Sequence, residues 1–270
     1  ATHCEDEATV RANTAAHLAE YGEDIPIEKH PIIRDEIACL KSSSFAAGLA
    51  KKHGTRLHIL HITTADELPL FDNSIPLSKK KITSEVCVHH LWFDSRDYEA
   101  LGTKIKCNPA IKVPQHKPQL LEALLDNRID IIATDHAPHT LEEKQNIYTN
   151  APAGLPLVQH SLQMMLEFYK QGKITLERLV EKMCHAPAEC FQIKERGYIH
   201  EGYFADLALV DLEKSFTVGK ENILFKCGWS PLEGQTFGSS VTHTFVNGNL
   251  VFHDGKIVEG STGKRLEFDR

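Results

Sequence analysis

Ile129-Asp-Ile-Ile-Ala-Thr-Asp-His-Ala-Pro-His139 is the stretch on which the fold turns. Its first six residues make an apolar run of the kind that suits a strand buried on both faces, the strand type of a parallel sheet covered by helices. The run stops at Asp135, an acidic residue directly after Ile-Ile-Ala-Thr. Burying a carboxylate is costly unless it is paired or bound to a metal. Asp135 therefore reads as a metal ligand or proton-transfer group, as half of a buried salt bridge, or as the N-cap of the segment that follows.

The same layout recurs upstream. β-rich runs cover residues 56–63 and 82–91, and the chain opens on what reads as the end of another strand. Strand ends are thus expected near Thr2, Thr63, His90 and Thr134. Helical spacing is expected between and after them, over residues 6–22, 30–52, 120–127, 155–171 and 174–184. Buried strands alternating with helices imply βαβ units and a parallel sheet, and four such strands make half of an eight-stranded barrel. The texture changes near residue 195. Short β-rich segments follow at 203–210, 242–246 and 250–252, and Asn247-Gly248 lies between two of them as a hairpin signal. Residues 196–270 read as a small β subdomain.

The totals exclude several classes. The chain has 270 residues, 41% hydrophobic and 25% charged, with a net charge of -7. No basic stripe suits a nucleic acid, no apolar run is long enough to span a membrane, and no signal peptide is visible. The seven cysteines are odd in number and irregularly spaced, which fits free thiols in a reducing cytoplasm rather than a disulfide framework. The first residue is Ala1, and further sequence upstream is expected.

In a parallel α/β barrel, catalytic groups sit at the C-terminal ends of the strands. His3, His61 and Asp135 all fall there, and histidine with carboxylate is the ligand set for Zn²⁺ or a similar divalent ion. His58 precedes His61 in the same run. Only one of the two can face the interior, and His61 is nearer the strand end. Asn108-Pro109 is also a common turn start, and His139 also suits a loop hydrogen bond. Glu85 and His89 read as supporting structure, with His90 left open.

His3-Cys-Glu-Asp6, Leu60-His-Ile-Thr-Thr64, Glu85 with His89-His90-Leu91, Asn108-Pro109, and Ala133-Thr-Asp-His-Ala-Pro-His139 followed by Thr140-Leu-Glu-Glu-Lys144 occur in that order. Together with Trp229-Ser-Pro-Leu-Glu-Gly234 and Val246-Asn-Gly248, they resemble the class I dihydroorotases over essentially the whole chain. The resemblance implies the C-terminal half of a TIM-type (β/α)8 metal-dependent hydrolase barrel over residues 1–195 and a small β-sandwich subdomain over residues 196–270. It implies a cytoplasmic, zinc-dependent cyclic amidohydrolase of pyrimidine biosynthesis, with two Zn²⁺ per complete site. The substrate would be the small-molecule pair dihydroorotate and N-carbamoyl-aspartate, and a homodimer is plausible. His3 and His61 match the histidines that hold one metal, and Asp135 matches the aspartate that holds the other and moves the proton. Asn108 and His139 match substrate-binding side chains, and Gly154 matches a backbone contact to the pyrimidine. Ala153 departs from the family, where phenylalanine is common.

The family's first strand also ends in a His-x-His pair followed by an arginine, and an earlier strand supplies a bridging carboxylated lysine or aspartate. No His-x-His exists in this sequence. The chain is accordingly expected to be an incomplete portion of the enzyme. The alternatives are a hydantoinase, dihydropyrimidinase or allantoinase, or a non-catalytic homologue kept as a scaffold. The loop at 140–153 is long and polar enough for a lid.

Overall fold

The computed structural model describes residues 1–260 and 263–269. It contains two compact units: Ala1–Gln159 with Leu224–Pro231, and His160–Ile223 with Leu232–Arg270.

The first unit is built on a parallel sheet of β1 (Leu57–Ile59), β2 (Ile82–Cys87) and β3 (Ile131–Ala133), in the order β1-β2-β3. Thr2 bridges Ile59 in parallel on the other side of β1, donating from its N–H to the His58 carbonyl at 2.9 Å. The four expected strands therefore pair side by side, but they are shorter than the sequence suggested. β1 stops at Ile59 rather than Thr63, because His61 turns into left-handed backbone at φ 42°. β2 stops at Cys87 rather than running on through His90. Val88–Trp92 folds as a short helix, so His89 and His90 are helical. Register between β2 and β3 is fixed by a buried ion pair: Asp130 accepts from the Ser84 N–H at 3.0 Å and from Lys80 Nζ at 2.7 Å. The buried salt bridge weighed for Asp135 is made instead by Asp130.

Glu7–Tyr21 is a helix whose N-cap Asp6 accepts from the Thr9 N–H at 2.9 Å. The expected long helix from residue 30 is broken. His30–Ile33 makes one turn, and Glu36–His53 restarts behind Asp35, which accepts from the Ala38 N–H at 2.8 Å. A side-chain acceptor for an unpaired first-turn N–H is what an N-cap supplies, and Asp35 supplies it for the restarted helix. The face of Glu36–His53 that packs inward is made of small residues: Ala38, Cys39, Ser43, Ala47 and Ala50. The larger Ile37, Phe45 and Leu49 point outward, Phe45 being 70% exposed. His116–Leu125 is the helix that precedes β3 and buries Leu120, Ala123 and Leu124.

The second unit carries the helices Ser161–Lys170, Leu176–Val180 and Ala186–Phe191. The first begins at Ser161 rather than residue 155. A π-helical turn at Glu181–His185 joins the other two. β4 (Leu207–Asp211), β7 (Ser240–Val246), β8 (Asn249–His253) and β9 (Lys256–Ile257) form an antiparallel sheet in the order β4-β7-β8-β9. β5 (Phe216–Thr217) pairs with β6 (Thr236–Phe237) in a separate two-stranded ribbon. The hairpin at Asn247-Gly248 joins β7 to β8 with φ 52° and 80°, the positive angles that Asn-Gly turns require.

Candidate active site

The strand ends of the first unit carry the predicted residues. His3 follows the bridge residue Thr2, and its Nδ1 lies 3.0 Å from Nε2 of His61, just beyond β1. The rings meet edge to face with centroids 4.8 Å apart. His3 is exposed and His61 buried. On its other side, His3 Nε2 lies 3.0 Å from Glu5 Oε2, and Arg34 donates from Nη1 to the same oxygen at 2.5 Å. Burial alone would raise the Glu5 carboxyl. The hydrogen bond from His3 and the charge of Arg34 outweigh it and hold the group below the usual carboxylate range.

His61 is also pushed down, which for an imidazole favours the uncharged form. Burial and the neighbouring His3 ring lower its pKa, while the carboxylates of Asp135, Glu85 and Glu5 act in opposition. The imidazole is therefore kept neutral, the form that carries a free ring lone pair. Glu85, on β2, accepts from the His61 backbone N–H at 3.4 Å and lies 3.0 Å from Nε2 of His58. His58 Nδ1 lies 2.8 Å from Thr83 Oγ1. His58 is thus held by Glu85 and Thr83, while His61 faces His3.

Asp135 follows β3 and Thr134 and is exposed, not buried. The desolvation argument from sequence therefore fails for it. Asp135 has φ 43° and His61 has φ 42°, a left-handed conformation that non-glycine residues adopt at a cost and that recurs at functional sites. Both strand ends thus reverse abruptly and present their side chains at the sheet's C-terminal edge.

Asn108 is half-buried, with a buried Oδ1 that has no protein partner, and precedes Pro109 through a cis peptide bond. A buried unpaired carbonyl oxygen is an acceptor waiting for a donor. His139 is partly exposed, its Nδ1 3.8 Å from Glu143 Oε2. Its carbonyl accepts from Nε1 of the buried Trp229 at 2.8 Å. Gly154 is buried at φ 139°, and a Cβ there would lie 2.4 Å from the Ala137 carbonyl oxygen. Its N–H donates to the Lys106 carbonyl at 2.8 Å, and its own carbonyl accepts from Lys144 Nζ at 3.0 Å. Only that carbonyl's second lone pair is left for a ligand.

Sequence reading missed Arg34, Trp229 and Lys144. Nothing in the sequence spacing links Arg34 to Glu5. Lys144 is fully buried and donates to the carbonyls of Lys106, Pro152 and Gly154. In the sequence Trp229 is only the start of the Trp229–Gly234 motif, whereas in the fold it holds the loop that carries His139.

The donor set fits a metal. Two imidazole nitrogens 3.0 Å apart have the separation of two nitrogens on one tetrahedral ion, each about 2.0 Å from it, whereas the Asp135 carboxylate is not gathered with them at ligand spacing. His61 Nδ1 is buried without a partner.

Residues 3–251 match the amidohydrolase family. This chain belongs to the amidohydrolase family. Among relatives, it is 35% identical over 265 residues to the dihydroorotase of Pyrococcus abyssi, covering 97% of this chain and 61% of that protein. It is 30% identical over 261 residues to the dihydroorotase of Methanothermobacter thermautotrophicus, covering 96% of this chain and 58% of that one. The chain thus spans about three-fifths of the length of these relatives. Among solved structures it resembles the L-hydantoinase (dihydropyrimidinase) from Arthrobacter aurescens, with TM-score 0.86, 27% identity, and coverage of 95% of this chain and 57% of the other. The fold is that of the TIM-type α/β hydrolases of the amidohydrolase family. No helix among the described residues is long and apolar enough to cross a membrane.

Proposed function

We propose that this chain carries the C-terminal part of a dihydroorotase site and serves the reversible hydrolysis of the cyclic amide of dihydroorotate to N-carbamoyl-aspartate in pyrimidine biosynthesis. The observation that carries the reading is the pairing of His3 with His61 at 3.0 Å, at the same strand-end edge as Asp135. The ordered motifs and the dihydroorotase relatives favour this substrate over hydantoin-type rings.

In this reading, His3 and His61 hold one Zn²⁺, and Asp135 contributes to a second. When bound, the ion would supply Lewis acidity and lower the pKa of water in the site. Asp135 takes up a proton as the ring opens and delivers it to the departing ring nitrogen, a general acid–base role. Asn108 Oδ1 accepts from a ring N–H. His139 binds the substrate near its amide or carboxylate, and Gly154 contacts the pyrimidine through its carbonyl. Glu5, tied to Arg34, orients His3 in the manner of the carboxylates that commonly fix metal-binding histidines. The chain supplies three ligands, and the sequence contains no His-x-His, so the remaining ligands belong to residues outside it.

The proposed architecture follows topology. Residues 1–195 supply the β/α elements as the C-terminal half of a barrel, and residues 196–270 supply antiparallel strands related to a β-sandwich. A cytoplasmic homodimer is part of the same proposal.

The test is ligand binding to Zn²⁺-loaded protein, followed through backbone amide signals. Dihydroorotate should perturb the signals of Asn108 and His139, while hydantoin, dihydrouracil and allantoin leave them unmoved. Equal response to hydantoin would favour the hydantoinase reading, and no response to any ring would sink both.

A further inference from the structure

A second cluster lies at the next strand end. β2 stops at Cys87, whose backbone stays extended at φ -82° and ψ 145° while the helix Val88–Trp92 begins behind it. This change of direction gathers the side chains of Cys87, His89 and His90. One ligand atom from each lies within 4.8 Å of the other two, the one such set of three among the described residues. All three side chains are buried, Cys87 completely.

The ring nitrogens make the cluster more than a packing feature. His89 is 1% exposed, and neither Nδ1 nor Nε2 has a protein partner. His90 Nε2 lies 3.1 Å from the Pro109 carbonyl, but its Nδ1 is buried and unpartnered. A buried polar group left unsatisfied costs about 1–3 kcal/mol, and three such nitrogens occur here on adjacent residues. A ring with one nitrogen tied to a backbone carbonyl and the other free is also the usual arrangement of a metal-binding histidine.

We propose that Cys87, His89 and His90 form a buried site for a divalent ion of borderline softness, Zn²⁺ being the natural occupant, beside the His3, His61 and Asp135 set and made of different residues. Cys87 binds through Sγ, His90 through Nδ1 and His89 through one ring nitrogen. One sulfur and two nitrogens select zinc over magnesium or calcium, which prefer oxygen. Binding replaces the thiol S–H bond with an S–metal bond and releases the proton to solvent, with no change of oxidation state. The site does not depend on which cyclic amide the protein hydrolyses. The other buried thiol nearby, Cys107, lies 4.0 Å from His90 Nε2, on the ring edge turned to Pro109, and is assigned no bond to the ion.

The test is spectroscopic. Metal is stripped from the full chain and Co²⁺ is added stepwise. The expected result is an intense thiolate-to-cobalt charge-transfer band in the near ultraviolet, lost in Cys87→Ser and kept in Cys107→Ser. Zinc X-ray absorption of the unsubstituted protein should show a sulfur neighbour at about 2.3 Å beside nitrogens at about 2.0 Å. Ligands of nitrogen and oxygen only in the unsubstituted protein would overturn the proposal, and would leave buried water as the partner of His89 and His90. That measurement stands even if Cys87→Ser fails to fold. A band that survives Cys87→Ser and disappears in Cys107→Ser would overturn it equally.

Discussion

His3 Nδ1 and His61 Nε2 lie 3.0 Å apart although 58 residues separate them in the chain. Thr2 pairs with Ile59, so the two strand ends are adjacent, and the left-handed turn at His61 swings its ring towards His3. Glu5 and Arg34 fix the far side of His3, and Glu85 fixes the backbone of His61. Two imidazoles are thereby held at ligand spacing by groups that do not themselves need to touch substrate.

Asp135→Asn keeps the shape of the side chain but removes its basicity. In the proposed mechanism this should lower kcat for dihydroorotate by roughly 10²–10⁴-fold, the usual contribution of a positioned general base. It should also weaken zinc binding. Steady-state kinetics with measured metal content checks both, and near-normal turnover would remove Asp135 from the mechanism.

His139→Ala tests substrate binding rather than chemistry. Its carbonyl is already held by Trp229, so the loop should keep its course without the ring. KM should rise roughly 10-fold or more, in line with one lost hydrogen bond to a charged group, while kcat changes little. An unchanged KM would count against the role.

Gly154→Ala is expected to destabilise the loop. The new Cβ would meet the Ala137 carbonyl at 2.4 Å, and φ 139° is a conformation that side chains rarely adopt. Overpacking of this kind costs about 1–3 kcal/mol and should lower the melting temperature by roughly 3–10 °C. Calorimetry would decide, and an unchanged melting temperature would mean that the 152–154 segment yields freely despite Lys144.

His30 predicts a pH dependence. It is fully buried between the Tyr148 hydroxyl at 2.9 Å and the Cys107 carbonyl at 2.8 Å, and burial pushes its pKa down to about 3. The unfolded chain takes up the same proton near pH 6.5. Its contribution to stability is therefore complete above about pH 6.5 and is lost as the pH falls towards 3, at about 1.4 kcal/mol per pH unit. His30→Asn should flatten the acid limb of the stability profile by that slope between about pH 6 and pH 4. Denaturant unfolding across that range measures it, and an unaltered slope would show that His30 is protonated in the folded state.

The sequence made the strand order legible because apolar runs such as residues 129–134 have few other ways to be buried, and the motif His-Cys-Glu-Asp placed His3 at a strand end. It did not show where the strands stop. Residues 82–91 stay β-rich past Cys87, yet Val88–Trp92 turns helical, and β-propensity yields to such tertiary context. Nor did it show that Asp135 is exposed, since exposure depends on what else covers a strand end. Helical spacing could not tell that Glu36–His53 buries its alanines and exposes Phe45. The roles of Arg34 and Trp229 rest on contacts 29 and 90 residues apart along the chain, which no local pattern encodes.

The most direct measurement is the rate of dihydroorotate hydrolysis by the purified, zinc-loaded protein carrying this chain, set against hydantoin and repeated after chelation. Turnover of dihydroorotate in preference to hydantoin, abolished by chelation and restored by Zn²⁺, is the expected result. Turnover that prefers hydantoin, or that survives complete removal of metal, would contradict the account.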